Sequence, residues 1–403
     1  MVAPKLRFKE FNNDWSLKKL GDLSFKPQYG MNSSATEFDG ENKYLRITDI
    51  NEDDHSFNFS KLTSPADDLD DKYLLKNGDL LFARTGASVG KSYLYNSKDG
   101  KVYFAGFLIK FSLQTEVNPY FIFSQTLSKK FQNWVITNSM RSGQPGINAE
   151  EYSLLPISFT SLKEQTKIAT FLSAVDEKIS QLSQKLYLLV QYKQGMMQKL
   201  FSQQLRFKAD DGSEFGEWSN KTIGDVANIK RGASPRPIND SKWFDDSSSI
   251  GWVRISDVSK SKKYLLQTEQ YLSTLGIQKS RLVPKGNLIM SICATIGKPI
   301  YTGFDVCIHD GFVVFSELQA IHEYAYYYLE YIEKNWYQYG QPGTQVNLNS
   351  DIVSNEAFPF PCLEEQTKIA NFLSAIDQKI DVVSEQLEQA KLWKKGLLQQ
   401  MFV

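Results

Sequence analysis

The stretch Glu164-Gln-Thr-Lys-Ile-Ala-Thr-Phe-Leu-Ser-Ala-Val-Asp-Glu-Lys-Ile179 recurs as Glu365-Gln-Thr-Lys-Ile-Ala-Asn-Phe-Leu-Ser-Ala-Ile-Asp-Gln-Lys-Ile380, identical at thirteen of sixteen positions and offset by 201 residues. The chain has 403 residues, so the offset is half its length. A repeat of that period means that one folding unit is written twice. Gln198-Lys-Leu-Phe201 and Gln399-Gln-Met-Phe402 keep the same offset, and looser anchors tie the rest of the copies together. Leu6-Arg-Phe-Lys9 matches Leu205-Arg-Phe-Lys208, and Leu20-Gly-Asp22 matches Ile223-Gly-Asp225. Tyr44-Leu-Arg-Ile-Thr-Asp-Ile50 matches Trp252-Val-Arg-Ile-Ser-Asp-Val258, and Asn77-Gly-Asp-Leu-Leu81 matches Lys285-Gly-Asn-Leu-Ile289. Gly143-Gln-Pro-Gly146 matches Gly340-Gln-Pro-Gly343. Between these anchors the copies differ freely, which implies a fixed frame carrying two different heads.

The near-identical segments carry a heptad pattern. Ile168, Val175, Leu182, Leu189 and Met196 step by seven, as do Leu172, Ile179, Leu186, Lys193 and Leu200. The second copy gives Ile369, Ile376, Val383, Ala390 and Leu397 beside Leu373, Ile380, Leu387, Lys394 and Met401. About five heptads of this kind predict a coiled-coil seam. Both copies interrupt it with a lysine (Lys193, Lys394), a polar break that can fix register and partner number. A glycine follows each (Gly195, Gly396), where backbones could approach closely or the helix bend. Ser161-Leu-Lys-Glu164 reads as a capping box opening the first helix, whereas the second has only Pro361-Cys362 before it. One chain already holds two matching seams, so an antiparallel intramolecular pair with pseudo-twofold symmetry is expected; the alternative is a seam joining two chains.

The expected fold is α/β (α+β) in two copies: heads at 1–160 and 208–361, spacer helices at 161–207 and 362–403. Short β-like runs such as Leu80–Ala83, Val102–Phe104 and Leu288–Met290 lie between turn residues. A helix is expected in each half, near Pro119–Trp134 and Glu323–Tyr337, with the tyrosines of 324–331 facing a core rather than stacking on bases.

Composition narrows the function. With 46 Lys plus Arg against 46 Asp plus Glu, the formal charge is zero, whereas a protein that grips nucleic acid by bulk charge is basic. Eight carboxylates fall between Asp49 and Asp71 with a single lysine, Lys61, so local surfaces differ in sign. The three cysteines, Cys293, Cys307 and Cys362, form neither a disulfide framework nor a zinc set. No apolar run approaches membrane-span length, and Met1–Lys5 has no secretory core. A cytoplasmic, soluble chain is the expectation.

The catalytic motifs that can be tried all fall short. Gly86-Ala-Ser-Val-Gly90-Lys91-Ser92 is one residue shorter than a phosphate loop, and a strand-like stretch follows it. Its counterpart, Ala294-Thr-Ile-Gly297-Lys298-Pro299, lacks the first glycine and the hydroxyl. Asn118-Pro119-Tyr120-Phe121 resembles the Asn-Pro-Pro-Tyr/Phe loop of adenine methyltransferases without its second proline; a proline opening a helix is the plainer reading. His55, His309 and His322 are scattered, and His309 adjoins a carboxylate, Asp310. No catalytic centre and no metal site is expected.

What remains is chemistry suited to reading DNA. Amides pair with adenine edges and arginine with guanine, and Gln144 and Asn148 in one copy and Gln341, Thr344, Gln345 and Asn347 in the other sit on glycine-rich loops. Arg84, Arg141, Arg231, Arg236, Lys91 and Lys298 are further candidates for base or phosphate contacts. Arg46 and Arg254 recur at one place in both copies, which suits buttressing the fold or touching the shared DNA backbone.

With Leu6-Arg-Phe8, the paired Glu-Gln-x-x-Ile-Ala helices at 164–169 and 365–370, the Gly-Gln-Pro-Gly loops and two divergent heads, the chain resembles the specificity subunits of type I restriction–modification systems over essentially its whole length. The resemblance implies a non-catalytic subunit whose heads are target-recognition domains, each reading half of an asymmetric bipartite site, with the helices setting the gap. It implies two methyltransferase subunits that methylate adenine with S-adenosylmethionine, and two translocase–nuclease subunits that use ATP and Mg. This chain itself is expected to bind no cofactor. A coiled-coil scaffold with protein-binding heads is the competing reading, and an autonomous nuclease or methyltransferase a third.

Overall fold

A computed structural model describes residues 4–339 and 348–402. Two long helices run from Leu162 to Phe201 and from Leu363 to Met401, the first about 60 Å long at 1.5 Å per residue. The chain packs into two units, one of residues 1–184 with 384–403 and one of residues 185–383. The division falls inside both helices. Each unit therefore combines the beginning of one helix with the end of the other, so the pair runs antiparallel.

In the first unit Ile168, Leu172 and Val175 share a core with Leu397, Leu398, Met401 and Phe402. In the second, Ile369, Leu373 and Ile376 share one with Met197, Leu200 and Phe201. Leu182, Val383 and Leu387 are also buried, while Ile179, Leu186, Leu189 and Ile380 are half-buried. The heptad positions thus form the apolar stripe, and a buried ammonium in it needs charged partners. Lys394 lies 2.6 Å from Asp176, whose carboxylate also accepts the Tyr120 hydroxyl. Lys193 lies 2.8 Å from Asp377 and 2.7 Å from Glu330, and the Tyr327 hydroxyl donates to Asp377 at 2.7 Å. The 201-residue offset carries one lysine–aspartate pair onto the other.

Two local expectations need correcting. A side chain added at Gly195 or Gly396 would meet nothing within 4 Å, so close backbone approach is not the reason for either glycine. Ser161 does cap the Glu164 amide, at 3.4 Å. The Glu164 carboxylate, however, does not complete a capping box, because three side chains take it up instead: Arg7 at 2.7 and 2.9 Å, the Thr160 hydroxyl at 2.5 Å and the Trp15 indole at 3.3 Å. The second copy repeats this latch, with Arg206 at 3.1 and 2.8 Å and Trp218 at 2.9 Å from Glu365. Both glutamates are fully buried. The adjacent glutamine closes the joint: Gln165 accepts the Asn118 amide and donates to the Thr160 carbonyl, as Gln366 does with Ile321 and Pro361. The Glu-Gln pair on each helix and the distant Leu-Arg-Phe are therefore parts of one joint.

Each head is built on an antiparallel sheet of the same order. In the first the order is Gln28–Tyr29, Leu108–Phe111, Leu80–Ala83, Ser92–Leu94. In the second it is Asn228–Arg231, Phe312–Ser316, Leu288–Ser291, Pro299–Thr302, with Tyr264–Leu265 added in parallel at the edge. Alternate side chains serve opposite faces. Leu80 and Phe82 enter the core shared with the long helices, while Leu81 and Ala83 enter a second core with Leu45, Val102 and Phe104. A sheet covered on both faces explains the continuous apolar runs read as strands.

The helix expected near Pro119–Trp134 is two helices, Pro119–Thr126 and Lys129–Ser139; Ser128 caps the second and so breaks the run. In the second head a helix spans His322–Tyr331 and a 3-10 segment follows from Glu333 to Tyr339. Tyr324, Tyr326, Tyr327 and Tyr328 are buried, and the Tyr324 and Tyr328 hydroxyls donate to the Pro359 and Ala357 carbonyls.

Candidate nucleic-acid interface

Backbone hydrogen bonds put the two heads in residue-by-residue correspondence. The Arg84 amide donates to the Phe107 carbonyl and the Arg84 carbonyl accepts the Ile147 amide. In the second head Ile292 makes the same bonds with Gly311 and Leu348. Gly30 and Gly232 donate alike to Leu108 and Phe312. A Cβ at either glycine would sit within 2.2 Å of a facing carbonyl oxygen, so only glycine fits where those strands cross closely.

Several candidate side chains occupy equivalent places and do equivalent work. Lys91 gives its ammonium to the Ile50 carbonyl and to Glu52. Lys298 gives its own to the Val258, Ser261 and Ser259 carbonyls at 2.8, 2.9 and 3.4 Å, closing the end of the helix Ile255–Lys260. Each stabilises the end of a helical turn whose carbonyls would otherwise be unpaired, and burial lowers the Lys298 pKa. Arg46 holds Asp49 with two bonds of 2.8 Å. Asp257 accepts the Arg254 amide at 2.9 Å, and the Arg254 side chain is exposed.

Other candidates gather differently in each head. In the first, the loop around Gly143–Gly146 lies along the strand end at Arg84. Gly86 donates to the Pro145 carbonyl, and its Cα side faces the Gln144 amide, 2.8 Å from where a Cβ would stand. Asn148 caps the helix Ala149–Ser153 by accepting the Glu151 amide at 2.9 Å, and Arg141 pairs with the Glu151 carboxylate. The Arg84 guanidinium lies 5.1 Å from the Tyr29 ring and 5.7 Å from the Phe107 ring, contacts worth roughly 0.5–1 kcal/mol each when exposed. Tyr29 and Phe107 are both solvent-exposed, the latter 59%. The Arg84 Nε is buried without an acceptor.

In the second head Arg231 donates to the Asp310 carbonyl at 2.6 Å, and the Asp310 carboxylate holds Ser234 at 2.7 Å and Arg236 at 3.1 Å. The Ser234 bond, with Arg236 beside it, keeps that carboxyl below the ordinary range. His309 accepts the Gly311 amide at 2.8 Å, and burial lowers its pKa, which favours the neutral ring. Gln341, Thr344, Gln345 and Asn347 lie outside the described residues. The counterpart of the Asn148 cap is Asn349, which accepts the Ile352 amide at 2.8 Å; the 201 offset pointed to it, and the Gly-Gln-Pro-Gly match drew attention to the loop instead. Tyr29 and Phe107 were also missed, because nothing local in sequence marks residues that the folded sheet brings beside Arg84.

Among the described residues no group of histidine, cysteine and carboxylate side chains could hold a metal ion, and no helix is long and apolar enough to cross a membrane. Asn118 caps the helix that Pro119 opens, and Lys91 is spent on a helical turn, so neither tentative catalytic motif is assembled as one. Paired heads of one topology, with different polar loops and a common helical frame, define a two-headed recognition protein.

The chain belongs to the type I restriction modification DNA specificity domain family, whose model matches residues 12–191 and again 216–392. It is a specificity subunit, the non-catalytic, target-recognising member of such a system. The MjaVIII type I restriction enzyme specificity subunit of Methanocaldococcus jannaschii is 24% identical over 414 residues, covering 96% of this chain and 91% of that protein. The type I restriction-modification S subunit from M. genitalium superposes with a TM-score of 0.62 at 15% identity, covering 100% and 99% of the two chains. A chain from a structure of complex assembly and conformational transition in a type I R-M system gives 0.60 at 17% identity, with 96% of each covered. DNA and the other subunits of a restriction–modification complex are its partners.

Proposed function

We propose that the heads read the two halves of an asymmetric, bipartite DNA site, one half each, and that the helix pair sets the unspecified gap between them. The observation that carries this reading is the repeat itself. The frame residues, from the Glu164 and Glu365 latches to the Lys394–Asp176 and Lys193–Asp377 pairs, are duplicated, while the polar loops on equivalent strands differ. Two methyltransferase subunits bind the frame and methylate adenines with S-adenosylmethionine, and two translocase–nuclease subunits restrict DNA with ATP and Mg; none of these cofactors is held by this chain.

The formal charge of zero supports shared grip. Phosphate neutralisation supplies most non-specific affinity, and here the partners' DNA-clamping surfaces provide much of it. The same neutrality favours the second reading, a scaffold whose heads bind protein. Titrating labelled duplexes with this chain plus its methyltransferase subunit separates the two. A salt-sensitive complex with one sequence, far tighter than with scrambled DNA, is expected. A stable protein complex with no sequence preference at any salt would leave the scaffold.

A further inference from the structure

We infer that Arg84 is a base-reading residue of the first head, recognising a guanine in the half-site that head contacts. This rests on the DNA-reading function proposed above and assigns a residue and a base to it. The internal repeat supplies the discrimination. A contact to the sugar–phosphate backbone, which is chemically the same in both half-sites, can be made by residues common to both heads. Frame residues are indeed common: Lys91 with Lys298, Arg46 with Arg254, Asp49 with Asp257. Arg84 is not, for the same backbone position in the second head is Ile292. Its two aromatic neighbours change as well, Tyr29 standing where the second head has Arg231 and Phe107 where it has Gly311. The whole cluster is head-specific on an unchanged backbone, as a residue that tells one base from another must be.

The local chemistry agrees. Both backbone groups of Arg84 are tied down, and two rings flank the guanidinium, at 5.1 and 5.7 Å. Among the described residues no carboxylate or carbonyl takes its donors, and its Nε is buried and unpaired. The other loop arginine of this head, Arg141, is already neutralised by Glu151. A preorganised guanidinium fork without an internal acceptor suits the O6 and N7 acceptors of guanine, met in the major groove by two parallel hydrogen bonds. Gln144, beside Gly86, places an amide next to it.

The test is the methylated motif written in a methylation-free host by the methyltransferase complex containing wild-type chain, Arg84→Ala or Arg84→Lys. The wild-type motif should contain a guanine–cytosine pair in the half assigned to residues 1–160. Both variants should relax that one position, with discrimination falling roughly 5- to 150-fold, and leave the other half unchanged. Arg84→Lys keeps the charge and loses the fork, so it covers the case in which Arg84→Ala does not fold. A folded variant that keeps the wild-type motif at full strength overturns the assignment, as does an even loss over all sequences, which marks a phosphate contact. If the wild-type complex writes no motif at all, the failure belongs to the DNA-reading function and not to Arg84.

Discussion

At the scale of single residues, a fully buried carboxylate, Glu164 or Glu365, stands at the start of each long helix. Glu164 is desolvated, which alone would raise its pKa, yet the hydrogen bonds from Arg7 and Thr160 hold it below the ordinary glutamate value. A carboxylate depressed in the folded state stabilises the fold above its unfolded pKa, and that contribution is lost as the pH falls through the folded value. Replacing Glu164 by Ala leaves the Arg7 guanidinium and the Trp15 indole without their acceptor. The expected cost is about 3–5 kcal/mol, read as a lower denaturation midpoint, and the difference from wild type should shrink in acid below the glutamate range. An unchanged midpoint at pH 7 would show that the latch is ornamental.

Much of this was legible as pattern and little as chemistry. Leu-Arg-Phe and Glu-Gln-x-x-Ile-Ala stand out because both recur, but their meeting depends on a chain reversal that no local signal encodes. Lys91 and Lys298 were visible as repeated lysines after glycine, and only the folded backbone shows them closing helical turns. The Arg84 cluster was half visible: the arginine and Gln144 could be picked out, whereas Tyr29 comes from the strand Gln28–Tyr29 and Phe107 from the turn before Leu108–Phe111.

At the scale of elements, heptad spacing picked out both long helices, since 3.5-residue periodicity is a direct consequence of helix packing; the first ends at Phe201, short of the expected 207. What periodicity could not supply is the set of partners for its polar interruptions. Lys193 serves two carboxylates, Glu330 and Asp377, and lies 5.1 Å from the Tyr327 ring. Burial raises the Glu330 pKa, with Lys193 opposing the shift. Lys193→Met removes that opposition and leaves the two carboxylates together, with Lys263 also acting on Glu330. A carboxyl whose folded pKa is raised costs stability as the pH rises through that value. The variant should therefore lose about 2–3 kcal/mol at pH 8 and recover much of it near pH 5, as followed by thermal melting. A loss independent of pH would point to packing alone.

At the scale of the whole molecule, the repeat was the legible fact, and the way the chain is shared between units was not. The core of the first unit is completed by residues from the far end of the sequence: the Phe402 ring lies 6.4 Å from Trp15 and 5.4 Å from Phe121, and the Leu6 amide donates to the Gln400 carbonyl at 2.9 Å. The Leu205 amide donates to the Lys199 carbonyl at 3.0 Å in the same manner, there across a continuous chain. Phe402→Ala should accordingly destabilise the first unit by about 3 kcal/mol. In hydrogen exchange, protection should fall at Phe82 and Phe121 while holding at Met290 and Tyr324; an even loss over both units would contradict the division.

The reading of the molecule as two independent readers on one frame is tested most directly by sequencing adenine methylation in a methylation-free host. The host would express the methyltransferase subunit with this chain, and then with a chain whose residues 1–160 are replaced by those of another head. The account predicts a split motif that is absent without the chain, with one half changed by the replacement and the other half and the gap preserved. A continuous motif, or a replacement that changes both halves, would contradict it.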